Sequence, residues 1–110
     1  MKLVKCIVRE YMVDATTNAL KELDLSGVTV TRIGGRGRAL RPTQMYRCNE
    51  YEPSVLPQMM VDVVVRDDMA DAVVRTVMEA ARTGERGDGR IFVIPVEEAY
   101  SIRTRAGGLD

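Results

Sequence analysis

The chain contains no histidine and no tryptophan among its 110 residues, and phenylalanine occurs only once. Without histidine there can be no Ser-His-Asp triad, no Cys-His nucleophile, no histidine-ligated zinc and no phosphohistidine intermediate. So few aromatic rings leave little from which to build a platform that stacks nucleic-acid bases. The formal net charge is zero, whereas bulk binding of nucleic acid needs a clear basic excess. These absences exclude several classes of enzyme and argue against a nucleic-acid partner.

Cysteine is also scarce, and no apolar run is long. Cys6 and Cys48 are too far apart for a CxxC redox motif or a zinc-finger spacing. Lys5 and Arg9 interrupt the apolar stretch at the N-terminus, which argues against a signal peptide. No run approaches the roughly 18 apolar residues that a membrane span needs. We therefore expect a soluble, cytoplasmic, single-domain protein with reduced thiols, whose modest core favours self-association.

The basic residues are strongly biased, with 13 arginines against 3 lysines. Eight of the nine glycines lie in three clusters, 34–37, 84–89 and 107–108, and each cluster has arginines in it or close to it. Glycine lets backbone N–H groups turn toward an anion, and the arginine fork binds phosphate oxygens in pairs. This pattern indicates a phosphate or nucleotide site. The alternative is that the glycines form ordinary turns and the arginines keep the loops soluble. Neither glycine cluster has the GK[ST] ending of a Walker A loop.

The apolar pattern predicts an α+β fold. β-Branched runs predict strands, and apolar residues at helical spacing predict two helices, the first starting at Asp14 and the second capped by Asp67 or Asp68. The order matches a ferredoxin-like βαββαβ arrangement, an antiparallel sheet with both helices on one face. The predicted elements are strand 2–9, helix 14–27, strand 28–33, strand 59–66, helix 68–83, strand 90–96 and a short strand 100–103.

The two helices are expected to bury one face each. On the first helix, Ala19, Leu20 and Leu23 share a face, and Thr16 can join them. The second helix carries the strongest periodicity in the chain. Its predicted apolar face consists of Met69, Ala72, Val73, Thr76, Val77 and Ala80.

Residues 34–58 show no periodicity and contain three prolines. An aperiodic segment of about 20 residues is too long for an ordinary connection in a small domain, and such segments are usually functional or disordered. Four arginines and two tyrosines make it a presented surface. Tyr46, Cys48 and Tyr51 are candidate contact or modification residues, although each also fits an ordinary exposed side chain.

Acidic residues in two places admit more than one interpretation. Asp62 lies within an apolar strand, where a buried carboxylate is costly unless it is paired. It faces either a partner or ligand on the helix-free side of the sheet, or solvent. Asp67, Asp68 and Asp71 could form a metal site, but favourable negative charge at a helix N-terminus explains them more simply. We therefore predict no metal site there.

Three stretches resemble the PII nitrogen-regulatory signalling proteins: TVTRIGGRGR, YRCNEYEPSVLPQ and AARTGERGDGRIFVIPVEEAYSIRT. The resemblance extends from the first strand to about Thr104, and the ARTGxxGDGxIFVxPVE block is highly specific. It implies a ferredoxin-like protomer in a homotrimer, with ATP or ADP in the clefts between subunits. It also implies a sensor rather than an enzyme. The single domain, 1–110, would then contain a T-loop at 36–57, a B-loop at 82–90 and a C-loop with tail at 101–110. The T-loop would regulate a transporter, an enzyme or a transcriptional regulator.

The resemblance also implies roles for individual residues. One group matches the family's phosphate-side loop and B-loop, with Arg103 reaching the phosphates from the neighbouring subunit. A second group matches the adenine and ribose positions, and Tyr51 matches a tyrosine that some bacterial members have uridylylated. The phosphate group comprises Gly35, Gly37, Arg38, Gly87, Asp88, Gly89, Arg90 and Arg103, and the adenine and ribose group comprises Thr29, Val64 and Asp62. Two of these differ from the family in residue type: Arg90 stands where the family usually has lysine, and Asp62 stands at a glutamate position near the ribose.

Several departures from the family pattern bear on the ligand. Ala39 replaces a glutamine that helps to hold Mg and 2-oxoglutarate, and Gln58 replaces a lysine that pairs with a 2-oxoglutarate carboxylate. Ala39 cannot coordinate a metal, and Gln58 offers a hydrogen bond without charge. These losses argue against Mg and against the usual 2-oxoglutarate response. Arg86, Ser101 and Arg105 also differ from the family pattern, and together they distribute the basic groups of the B-loop and C-loop differently. A preference for ADP or AMP over ATP is therefore an open alternative.

Three hypotheses follow. The first is a PII-type trimeric sensor of an adenine nucleotide that signals through the T-loop. The second is a PII-like interaction module that has lost small-molecule sensing. The third is a small ferredoxin-like enzyme, such as a phosphohydrolase, against which the absence of histidine and of a clear nucleophile weighs. We favour the first and expect no enzymatic activity.

Overall fold

The computed structural model describes residues 1–33 and 57–109 of the chain. Predictions for Gly35, Gly37, Arg38, Tyr51 and nearly all of the T-loop lie outside these residues. The described elements are β1 (Lys2–Arg9), α1 (Val13–Lys21), β2 (Thr29–Arg32), β3 (Gln58–Val65), α2 (Ala70–Ala81) and β4 (Gly89–Pro95), with 3-10 turns at Glu10–Met12 and Asp67–Met69.

The four strands form one sheet in the order β2-β3-β1-β4, and every neighbouring pair is antiparallel. This is the ferredoxin-like α+β arrangement that the sequence predicts. The long β-branched runs of β1 and β3 occupy the two central positions, where strands are buried on at least one face. Each of the four strands begins and ends within one residue of its predicted bounds.

The core lies between one face of the sheet and the two helices. Alternate residues of the central strands point into it, as the two-residue period of a strand requires. Leu20 of α1 and Val73 and Val77 of α2 close it, each at most 1% exposed. The buried strand residues are Val4, Cys6, Val8, Val61, Val63 and Val65.

The buried face of α2 is rotated from the predicted one. Ala70, Val73, Val77 and Ala81 are buried, whereas the predicted Ala72, Thr76 and Ala80 are only partly buried. Because α2 carries apolar side chains on more than one stripe, several faces satisfy the helical period. Packing against the sheet decides between them. In α1, Leu20 and Thr16 are buried, and Leu23 packs at the edge of the core.

The predicted capping by aspartate side chains was wrong, and the first helix ends earlier than predicted. A 3-10 turn precedes each helix, and neither N-terminal residue is capped by a side chain. The Asp68 carboxylate instead accepts hydrogen bonds from Arg66, and Asp67 pairs with the terminal amine at 2.9 Å. α1 ends at Lys21, well before Gly27, and α2 ends at Ala81. The predicted strand 100–103 is likewise only an isolated bridge from Tyr100 to Gly107, followed by a turn.

The second face of the sheet is not covered by either helix. Phe92 and Ile94 of β4 are 43% and 39% exposed there, beside Lys5 and Leu3 of β1. We call this surface the open face; its side chains include Leu3, Lys5, Ile7, Thr29, Thr31, Met60, Asp62, Val64, Arg90, Phe92 and Ile94. Within residues 1–33 and 57–109, no helix has the length and hydrophobicity to cross a bilayer.

Candidate functional site

Asp88 organises the B-loop, which connects α2 to β4. Its Oδ2 accepts the backbone N–H groups of Thr83 and Gly84, each at 2.9 Å, and its Oδ1 accepts the Thr83 hydroxyl. The Thr83 hydroxyl contributes most to holding the pKa of Asp88 well below its usual range, and the backbone N–H groups and Arg9 add to this. The carboxylate is thus engaged in shaping the loop.

Arg9 lies beneath this loop at the end of β1 and is only 5% exposed. Its Nε donates to Asp88 Oδ1 at 3.2 Å, and its Nη2 donates to the carbonyl of Arg86 at 2.6 Å. A guanidinium can bind two acceptors in different directions because its donors form a planar fork. One buried cation therefore joins the first strand to two residues nearly eighty positions later in the chain.

Gln58 supports the same loop from β3. It lies opposite Arg9 in the sheet, and its side-chain amide donates to the carbonyl of Gly87 at 3.4 Å. Next to this pair, the Glu10 N–H donates to the carbonyl of Pro57 at 3.1 Å. The end of β1 and the start of β3 thus form a common base beneath residues 86–88.

The predicted B-loop residues come together at the entrance to β4. Gly87 and Gly89 both have positive φ angles, of 95° and 114°, which favour glycine. Asp88, Gly89 and Arg90 line a cavity of about 280 Å³. Its remaining walls include Ile7, Val77, Met78 and Ile91. This cavity opens on the helix-covered side of the sheet, beside α2, whereas the Arg90 side chain belongs to the open face.

The predicted adenine and ribose residues form a second group. Thr29, Asp62 and Val64 line a cavity of about 390 Å³ together with Leu3, Ser26, Gly27 and Val63. Thr29 lies directly opposite Asp62 in the β2–β3 pairing, so both side chains point to the open face. The sheet register therefore brings these three residues together.

Asp62 has an unsatisfied oxygen in this second group. Its Oδ1 is buried, and no donor reaches it from residues 1–33 or 57–109. Lys5 lies opposite Asp62 on β1, yet the two do not form an ion pair. A buried acceptor without a donor is costly, so a donor from a ligand or a second chain would be stabilising here.

The two groups are separated along the open face. Arg90 lies opposite Ile7 and Val64 lies opposite Leu3, on the two strands that flank β1, so they are four positions apart along the strand direction. At roughly 3.3 Å per residue this is about 13 Å. Arg103 belongs to neither group in the described residues: it is exposed in a turn that the Ser101 and Arg105 N–H groups close, each with a 2.8 Å bond.

Comparison with known proteins identifies the family. A family model described as "Nitrogen regulatory protein P-II" matches residues 1–106. The chain belongs to the P-II family.

Curated P-II proteins are similar over almost the whole chain. The "Nitrogen regulatory protein P-II" of Rhizobium meliloti (strain 1021) is 44% identical over 110 residues, which cover 100% of this chain and 98% of that protein. The "Nitrogen regulatory protein P-II 2" of Methanothermobacter thermautotrophicus is 40% identical over 108 residues, covering 98% and 94%. The P-II protein of Microchaete diplosiphon is 42% identical over 104 residues, covering 94% and 93%.

Sequence reasoning missed two residues of this P-II chain. In the sequence, Arg9 is visible only as an interruption of an apolar run, and Thr83 only as the end of a helix. The sequence does not predict that Arg9 is buried, because an arginine at the end of a strand is usually exposed. The one available signal for Thr83 was its place before the glycine-rich loop, where hydroxyl and carboxylate side chains often bond to nearby backbone.

Proposed function

We propose that this chain is a PII-type signalling protein that binds an adenine nucleotide between the subunits of a homotrimer. The nucleotide is ATP or ADP, with AMP as a further candidate. The observation that carries the proposal is the B-loop, in which Asp88 and Arg9 hold glycines 84, 87 and 89 beside the exposed Arg90. Family membership and relatives named nitrogen regulatory proteins support the signalling role.

The open face supports self-association. An apolar sheet face with exposed Phe92 and Ile94 costs free energy in water, and a second copy of the chain would cover it. The buried, donor-free oxygen of Asp62 lies on the same face. Both features favour an assembly in which this surface meets another subunit.

The separation of the two residue groups supports a ligand between subunits. The B-loop of one subunit would hold the phosphates through loop N–H groups and Arg90, joined by Gly35, Gly37 and Arg38. Thr29, Val64 and Asp62 of the neighbouring subunit would meet the adenine and ribose, and its Arg103 would add charge at the phosphates. The residues present fit this ligand, because they combine arginine forks, glycine-supported N–H groups and a half-apolar cavity.

Signalling would proceed by a population shift. The nucleotide would favour one arrangement of the T-loop, residues 36–57, and a regulated transporter, enzyme or transcriptional regulator would bind that arrangement. The chain would act as a single domain, 1–110, in the cytoplasm, without catalysis, membrane insertion or nucleic-acid binding. Its C-loop and tail, residues 101–110, would contribute Arg103.

The usual Mg-dependent response to 2-oxoglutarate would be absent. Ala39 offers no ligand to a metal, and Gln58 is neutral where the family has a lysine. The Gln58 side chain donates to the carbonyl of Gly87, so it contributes to the loop rather than presenting a charge.

Titration calorimetry with ATP, ADP and AMP tests the proposal. We expect binding of at least one nucleotide, weakened about tenfold or more in Arg38→Ala and in Arg103→Ala, since each loses a charge-assisted contact. Arg75→Ala, on the exposed face of α2, is the matched control. Light scattering should give a trimer. A trimer that binds no nucleotide would support the interaction module instead, and steady ATP turnover lost in Arg38→Ala would support an enzyme.

A further inference from the structure

We propose that Arg9 is the positioning residue of the phosphate site, because its buried guanidinium fixes the direction of the B-loop amides. This inference rests on the proposed nucleotide function. It concerns a residue that lies under the loop and has almost no exposed surface, so it is argued to act through the loop and not by touching a ligand.

The first step concerns peptide geometry. In a trans peptide unit the N–H points opposite to the C=O. Arg9 draws the carbonyl of Arg86 toward the sheet at 2.6 Å, and Gln58 does the same for the carbonyl of Gly87. The N–H groups of Gly87 and Asp88 belong to these same two peptide units. They are consequently directed away from the sheet.

Two successive N–H groups with a common direction form an anion nest. Among the described residues, the Gly87 N–H donates no hydrogen bond and remains available to a phosphate. The Asp88 N–H lies next to it and faces the carbonyl of Glu85 across the turn at residues 86–87. The exposed Arg90 follows two residues after Asp88, so charge and amides lie on one short segment.

The second step concerns the strength of the coupling. Arg9 is a buried cation, and Asp88 is its one carboxylate partner in the described residues. Removing one member of such a pair leaves an uncompensated buried charge, which is strongly unfavourable. A change in the loop that releases Asp88 would therefore be opposed by Arg9. Loop and strand are expected to move as one unit.

Gly87 leaves room for the Arg9 guanidinium beneath the loop. A Cβ at position 87 would lie 3.3 Å from Arg9 Nη2 and 3.5 Å from Nη1, and the φ angle of +95° also disfavours a side chain. The glycine thus allows the loop backbone to approach the buried cation closely. Lysine could not replace Arg9, because a single ammonium lacks the fork that binds Asp88 and the Arg86 carbonyl in two directions.

Ligands with and without phosphates distinguish a positioning role of Arg9 from a general loss of structure in its variants. We expect Arg9→Met to weaken ATP and ADP binding about tenfold to a hundredfold, the loss of one or two charge-assisted contacts. Adenosine, tested as the phosphate-free probe, should bind within about twofold of wild type. Arg9→Lys should lose nearly as much as Arg9→Met. Arg75→Met, which removes an exposed cation on α2, should change nothing.

A second readout does not require a nucleotide. Amide exchange by NMR should become faster at Thr83 and Gly84 in Arg9→Lys, since their acceptor Asp88 loses an anchor. If Arg9→Met fails to fold, the same comparison of ATP and adenosine binding can be made with Arg9→Lys and Gln58→Met. Wild-type ATP affinity in Arg9→Met, equal losses for adenosine and ATP, or unchanged exchange in Arg9→Lys would each overturn the positioning role alone. A wild-type chain that binds no nucleotide would instead overturn the proposed function.

Discussion

Gly89 begins β4 directly against the backbone of Ile7. A Cβ at position 89 would lie 1.7 Å from the Ile7 carbonyl oxygen, and the φ angle is +114°. Backbone atoms cannot move aside as the end of a side chain can. Glycine at this position is therefore what allows β4 to pair with β1 at the point where the B-loop enters the sheet.

Gly89→Ala should accordingly destabilise the protein strongly, by about 4 kcal/mol or more, because the collision involves backbone and adds to the cost of positive φ. Gly108→Ala is a matched control: its φ is +107°, but nothing lies within 4 Å of the added Cβ. It should cost only about 1 kcal/mol. Urea unfolding at one fixed protein concentration measures both. Equal losses in the two variants would contradict the collision.

The Asp88 carboxylate should make stability depend on pH in the acid range. Its native pKa lies well below the usual range, chiefly through the Thr83 hydroxyl, whereas an unfolded aspartate has a pKa of about 3.9. The unfolded chain thus binds this proton first as the pH falls. The contribution of ionised Asp88 is complete above the unfolded pKa and is lost as the pH falls toward the native pKa.

We therefore expect the gap in unfolding free energy between wild type and Asp88→Asn to be larger at neutral pH than near pH 3. The gap can be measured by urea titration at both values. Asp24→Asn serves as control, because Asp24 is exposed with a φ of 55°, which asparagine also tolerates. A gap for Asp88→Asn that is constant across this range would show that its carboxylate is not held ionised by the loop.

Much of this architecture can be predicted from local sequence. The features that cannot be predicted depend on contacts between distant parts of the chain. β-Branched runs located the strands, because a strand's period and propensity are local properties. The buried face of α2 was misjudged because the choice between Ala70 and Ala72 depends on packing against a sheet that local sequence does not describe. The Arg9–Asp88 contact joins residues far apart in the chain, so no window of sequence contains it. The Thr29–Asp62 pairing is likewise a matter of sheet register.

Cys6 should be chemically inert in the folded protein. Its side chain is fully buried in the core, and burial, together with the nearby charge of Asp62, raises its pKa to about 12. Because the thiolate is the reactive form, burial keeps reagents from Cys6 and the raised pKa keeps its thiol protonated. We expect iodoacetamide at pH 8 to leave Cys6 unmodified in native protein and to alkylate it in urea, as read by peptide mass spectrometry. Native modification at the rate seen in urea would contradict this.

Binding of ATP should be insensitive to 2-oxoglutarate, because the chain lacks the metal-binding glutamine and the lysine expected from its family at positions 39 and 58. A neutral amide at Gln58 provides a hydrogen bond of roughly half the strength of a charge-assisted one, and it is already directed to the Gly87 carbonyl.

Calorimetry with Mg-ATP should give affinities within about twofold with and without saturating 2-oxoglutarate. In the double variant Ala39→Gln plus Gln58→Lys, the ATP affinity should rise about tenfold when 2-oxoglutarate is added. Gln58→Lys alone is the control, since it restores the charge without the metal ligand and should respond less than the double variant. A wild-type chain whose ATP affinity rises tenfold with 2-oxoglutarate would show that other residues replace the missing pair.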